Sequence, residues 1–298
     1  MNHLDLVNLT ALMELTSGRP EIIIGLIDGP VVMNHPNLAG ENIREIPGKL
    51  SSVCAQASSA ACMHGTFVAG ILCGKRNSPA PAICPNCTLL VRPIFAETAS
   101  GNGKNRIGLV ETMPSATPEE LAEAIIDCIN AGARVINLSA ALAQPSTKGE
   151  HELEQALDYA VGRGAIVVAA AGNQGTVGSS AITRHPWVIP VVACDIKGRP
   201  ISYSNLGNSI GRRGLSAPGE GVTSLGAKGK PLTLGGTSVA APFVTGTIAL
   251  LWSEFPSANA ARVKLAVTQM YISRRPTVVP PLLDAWGAYQ FMKVNLWR

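Results

Sequence analysis

The sequence has no apolar stretch approaching the roughly 18 residues that a helix needs to cross a bilayer. Its start, MNHLDLVNLTALMELTSG, carries Asp5 and Glu14 where a secretory signal would be basic. As written, the chain reads as neither membrane-bound nor secreted, which points to the cytoplasm. Charge is scarce as well, at 15% of 298 residues. The net +4 comes without a basic run or aromatics interleaved with arginine, which argues against a nucleic-acid partner. Aromatic residues make up only 4%, yet 46% of the chain is hydrophobic, enough for a packed core and far from disordered, collagen-like or coiled-coil compositions.

Cysteine is too sparse for a disulfide scaffold. The seven (54, 62, 73, 84, 87, 128 and 194) are odd in number, so at least one is unpaired within the monomer, and most suit a reducing compartment. Cys84-Pro-Asn-Cys87 has CxxC spacing that could hold a disulfide, a redox pair, half a zinc site or plain thiols. A second CxxC is missing, and a strand pattern follows where a thioredoxin-like motif would open a helix.

What is present is alternation. Continuous apolar runs at 21–27, 88–95, 133–139, 165–170 and 187–193 predict strands buried on both faces. Between them lie helical patterns. Over 118–131, Thr117 and Glu120 form a capping box, Pro118 sits at the first helical position, and Leu121, Ala124, Ile125 and Cys128 recur at helical spacing. Another helix is expected from about 150 to 162. Strands alternating with helices imply an α/β fold, a doubly wound parallel sheet with helices on both faces, and ligands at the carboxyl ends of the strands. The length fits one domain, with no linker mid-chain. Segments 41–62 and 96–117 exceed ordinary connections, and long loops in compact domains tend to carry function.

Four positions stand out chemically. Asp28 ends the run Ile22 to Ile27, so a carboxylate stands at the tip of a buried strand; alone it would be an ordinary Asp-Gly turn. His64 opens the small-residue stretch His64-Gly-Thr-Phe-Val-Ala-Gly70, read as the first turn of a helix. Asn173, in Ala169-Ala-Ala-Gly-Asn173, follows another strand. Ser238, in Gly235-Gly-Thr-Ser238-Val-Ala-Ala-Pro242, leads into an apolar helix reaching Trp252, where a helix-capping serine is the competing reading. All five histidines precede Ser238, which excludes the Ser…Asp…His order of α/β-hydrolases, and no GxSxG surrounds this serine. What remains is the order Asp28…His64…Ser238, which is that of subtilisins.

The segments around Asp28, His64, Asn173 and Ser238 resemble the signature blocks of subtilisin-like serine proteases, a likeness extending over about residues 20 to 272. The resemblance implies one peptidase domain over 1–298, with 1–20 as an N-terminal extension. It implies Ser238 as nucleophile, His64 as general base, Asp28 as its orienting carboxylate and Asn173 as an oxyanion donor. An extended peptide or protein substrate would lie beside Ser139, Ala140 and Ala141, with Ala170, Ala171 and Gly172 forming another wall of the specificity pocket. A glycine is common in the family where Ala141 stands. No cofactor or metal is implied: only six Asp are present and no DxDxDG calcium loop occurs.

A closer resemblance is carried by Ile27-Asp-Gly-Pro-Val31 with His35-Pro36, by Cys62-Met-His64 through Leu72, and by Ser78 through Cys87 to Arg92-Pro93. These are similar to the cyanobactin-maturation proteases, which process ribosomally made precursor peptides by leader cleavage or by macrocyclisation. The cyclising relatives use a helical insertion between the Asp and His motifs. Residues 41–62 show no amphipathic helix pair, so linear cleavage is expected, with specificity depending on 96–117. A macrocyclase and a silent peptide-binding module are the alternatives.

Overall fold

The computed structural model describes residues 2–38, 42–97, 116–140, 150–268 and 277–295. In chain order the elements are α1 (His3–Leu6), α2 (Leu9–Leu15), β1 (Ile23–Asp28), β2 (Ile43–Glu45), α3 (Ala60–Cys73), β3 (Thr88–Pro93), α4 (Pro118–Asn130) and β4 (Val135–Leu138). They continue with α5 (Glu150–Arg163), β5 (Ile166–Ala170), α6 (Ala181–Arg184), β6 (Ile189–Cys194), α7 (Asn208–Arg213), β7 (Leu215–Pro218), β8 (Val222–Ser224) and β9 (Leu232–Leu234). The chain ends with α8 (Thr237–Glu254), α9 (Ala260–Thr268) and α10 (Ala285–Asn295). Of segment 96–117, residues 98–115 lie outside the described residues, as does Ala141.

Seven strands form one sheet in the order β2-β3-β1-β4-β5-β6-β7, each pair parallel, and β8 and β9 form an antiparallel ribbon. The continuous apolar runs follow from burial on two sides. Ile24 and Leu26 of β1 and Ile166 and Val168 of β5 point into one core with α3 and α8, whereas Ile27, Val167 and Ala169 point into another with α4 and α5. Helices therefore cover both faces, as the alternation predicts.

α8 is apolar all round because it is enclosed, from Thr237 to Ser253, and it packs across β4, β5, β6 and β7. α4 carries the expected capping box, with the Thr117 hydroxyl accepting from Glu120 N and the Glu120 carboxylate from Thr117 N. Its Cys128 seats over β1 where Gly25 leaves room: a Cβ on Gly25 would stand 2.9 Å from the Cys128 sulfur.

Residues 3–15, read from the sequence as part of an extension, form α1 and α2. Val7, Leu9 and Leu12 there are buried in the same core as α8 and α10. No helix among the described residues is long and apolar enough to cross a membrane.

The cysteines resolve differently from the motif. The disulfide joins Cys54 to Cys62, while Cys84 and Cys87 are buried free thiols beside Cys73. Hydrogen bonding to Cys73, together with burial, pushes the Cys84 thiol well above its ordinary range. Hydrogen bonding to Cys84 and burial do the same to Cys87. Both are therefore held as thiols rather than reactive thiolates at neutral pH.

Candidate active site

β1 delivers Asp28 at its carboxyl end, fully buried. Its Oδ1 accepts the Gly29 N–H at 2.6 Å, and both carboxylate oxygens face His64 Nδ1, at 2.8 and 3.0 Å. His64 is the fifth residue of α3, not the helix start that the sequence suggests, because Ser59 caps the helix by accepting from Cys62 N. The imidazole therefore sits about one turn in. Its position depends on a contact of backbone on backbone: a side chain on Gly29 would strike the Ala61 carbonyl, and one on Gly65 the carbonyls of Gly29 and Pro30. Only this pair of glycines lets α3 touch the end of β1.

His64 Nε2 lies 2.9 Å from Ser238 Oγ. Ser238 is the second residue of α8, behind Gly236 as N-cap, so it is not the capping serine of the competing reading. Gly236 has φ 130°, a region that favours glycine, and a Cβ there would press on the Asn173 amide at 3.1 Å. Burial of His64 disfavours its cation, but the Asp28 charge and hydrogen bond outweigh it and raise the pKa above the ordinary 6.5.

Asn173 is exposed at the end of the segment after β5. Its Oδ1 accepts from Thr237 N at 2.9 Å and Thr237 Oγ1 at 3.0 Å, leaving Nδ2 as the end free to donate. The Ser238 N–H, in the first turn of α8, has no helical acceptor. Asn173 Nδ2 and the Ser238 N–H are thus two donors, unengaged among the described residues, at the start of α8. Thr237 was missed by sequence reasoning, as was Asn205, whose Oδ1 accepts from Gln174 N and Thr176 N while Nδ2 donates to Ala171 O. A local signal existed only for Thr237, inside the Gly-Thr-Ser block.

Because β4 pairs with β5, Ser139 and Ala140 emerge beside Ala170, Ala171 and Gly172. Ser139 is held by its N–H on Ile27 O and by Asn137 Nδ2 at 2.8 Å, and Gly172 by its N–H on Thr237 Oγ1 at 3.1 Å. Cys54, Cys62 and Glu97 also cluster within 4.8 Å. The two sulfurs are bonded to each other, and Glu97 accepts from Ala55 N, Gln56 N and Ser59 Oγ, so this group braces the entry to α3.

Known proteins share this fold and family. The model of the subtilase family matches residues 19–274. Thermitase of Thermoactinomyces vulgaris is 30% identical over 90% of this chain and 88% of its own. A thermophilic serine proteinase of Bacillus sp. (strain AK1) is 31% identical over 86% of this chain, which spans only 58% of that protein's length. Among solved structures, the protease domain of PatA superposes with a TM-score of 0.82 at 29% identity, covering 93% of this chain and 97% of that one. The prenylagaramide maturation protease PagA gives 0.79 at 28% identity, over 95% and 98%. The PatG macrocyclase domain, at 22% identity and a TM-score of 0.77 over 98% and 96%, shows a shared fold.

Proposed function

The chain belongs to the subtilase family of serine proteases, and from that premise we propose that it removes a leader from a ribosomally made precursor peptide by cutting one peptide bond. The observation that carries the chemistry is the unbroken path Asp28–His64–Ser238 with Asn173 beside it. His64 Nε2 takes the Ser238 proton as Oγ attacks the scissile carbonyl, and Asp28 stabilises the resulting imidazolium and fixes the ring. Asn173 Nδ2 and the Ser238 N–H receive the developing oxyanion. His64 then protonates the leaving amine, and water repeats the sequence on the acyl-enzyme. Precursor processing is supported by the likeness to PatA and PagA over nearly their whole chains.

Linear cleavage is favoured over cyclisation by the connection from Asp28 to His64. Among its described residues, 42–59 hold the strand β2 and no α-helix before Ala60. The described part of this connection therefore offers no α-helical cover that would hold water off an acyl-enzyme until an amine arrives. Incubation with precursor peptides, read by mass spectrometry, is expected to give linear fragments cut at one junction. A macrocycle as the main product would overturn the cleavage assignment, and digestion at many unrelated junctions would overturn processing. A silent binding module is tested by a fluorophosphonate, which labels only an activated serine.

The pH profile follows from the environment of His64. Since the neutral imidazole is the base, kcat/KM is expected to rise with pH through a midpoint above 6.5 and then level off. Asp28→Asn removes the influence that raises the pKa and leaves burial, so its residual activity, lower by about 10⁴, should have its midpoint shifted downward. A midpoint unmoved by this change would show that Asp28 does not act on His64 electrostatically.

A further inference from the structure

The strand order also places side chains beyond the triad. Along the carboxyl edge of the sheet, Asp28 ends β1, Ser139 follows β4, Asn173 follows β5, Tyr203 lies in the connection after β6, and Glu220 follows β7. A substrate whose acyl half rests on Ser139–Ala140 and Ala170–Gly172 occupies the β4–β5 part of this edge. On the endopeptidase reading its leaving half would lie across Ser238, on the side of β6 and β7 in the strand order.

Two features there have no role in the triad. Tyr203 keeps 41% of its surface exposed although its backbone is firmly held, with its carbonyl accepting from Gly175 N at 2.8 Å. Its hydroxyl stands over Gly235, three residues before the nucleophile: a Cβ at 235 would lie 3.0 Å from that oxygen and 3.7 Å from Glu220 Cα. Glu220 is exposed, and its carboxylate has no hydrogen bond or ion pair among the described residues; only its carbonyl is engaged, by His3 Nε2 at 2.9 Å. Burial and then the Glu220 charge raise the Tyr203 phenol above its ordinary pKa, as a carboxylate standing near the ring should. A partly exposed tyrosine beside a carboxylate without a partner among the described residues is the chemistry that recognises a cation.

We infer that Tyr203 and Glu220 form a leaving-side subsite that selects Lys or Arg within the first three residues after the scissile bond. This rests on the endopeptidase reading above and narrows its substrate to peptides whose released segment begins with a basic stretch. The subsite acts on acylation alone, because the released segment departs before water attacks.

The test uses quenched fluorescent peptides identical up to the scissile bond and carrying Lys, Ala or Glu at each of the three following positions. Active sites are titrated with a fluorophosphonate, and each variant is compared with itself as a ratio of kcat/KM values. The parent is expected to prefer Lys over Ala by about five- to tenfold at one position, the size of one exposed cation–π contact plus one exposed ion pair. Glu220→Gln should bring that ratio to about two, and Glu220→Lys should make the Glu peptide faster than the Lys peptide at that position. Equal rates on all peptides in the parent, or a Lys-to-Ala ratio untouched by Glu220→Gln, would overturn the subsite while leaving the protease intact. Labelling without cleavage of any peptide would overturn the endopeptidase reading, and the subsite with it.

Discussion

Ser238→Ala is expected to abolish fluorophosphonate labelling and to lower kcat for peptide cleavage by about 10⁴–10⁶, the upper figure being one established on a subtilisin and carried over here. The fold should survive. Among the described residues the Ser238 hydroxyl has one partner, His64 Nε2, and α8 is capped by Gly236 and held by apolar packing around it. The melting temperature should therefore stay within a few degrees of the parent, about the shift that 1 kcal/mol produces at this size. His64→Ala should be comparably damaging. The double variant is expected to lose little more than either single one, because a base without its nucleophile, or the reverse, has nothing left to contribute. Losses that multiply would mean that the two residues act independently and would break the triad. Peptide cleavage by Ser238→Ala at a tenth of the parent rate would place the nucleophile elsewhere.

The parts of the fold legible in the sequence are those whose cause is local. β1, β3, β4, β5 and β6 appear as apolar runs because both their faces are buried. α4 appears with its cap because Thr117, Pro118 and Glu120 are neighbours in sequence. Elements whose cause is tertiary do not appear. β7 is four residues ending in a proline, and it is a strand because β6 lies beside it. The entry to α3 lies in segment 41–62, which the sequence marks only as a long connection without an amphipathic helix pair. It is helix because Ser59 caps it and Ala61 packs on Gly29.

Much of the site was legible because order along the chain excludes rival machineries, and three of its positions end or follow strands. What supports it was not. Pairing of Cys54 with Cys62 depends on where two side chains meet in space, and the CxxC pattern pointed to other thiols. Asn205 reaches the Asn173 segment from about 30 positions away, and Thr237 reaches Asn173 from 64. Hydroxyls and amides joined across such separations leave no periodic trace.

Asn173→Ala is expected to lower kcat by roughly 10²–10³ with KM little changed, a magnitude established for one oxyanion donor of a subtilisin and carried over here. The separation of kcat from KM follows because Nδ2 meets full negative charge only in the tetrahedral intermediate. Thr237 offers a sharper check, since it touches Asn173 by two bonds of different kind. Thr237→Val removes the Oγ1 bond to Asn173 Oδ1 and the acceptor for Gly172 N, but the bond from the Thr237 backbone N–H remains. The amide is then loosened without being lost, and a decrease of about tenfold in kcat is expected, with Thr237→Ser restoring the parent rate. Because Thr237 works through Asn173, adding Thr237→Val to Asn173→Ala should cost almost nothing further in kcat, whatever it costs in stability. A full tenfold additional loss in the double variant would mean that Thr237 meets the oxyanion by itself, and a decrease confined to KM in Asn173→Ala would remove Asn173 from the transition state altogether.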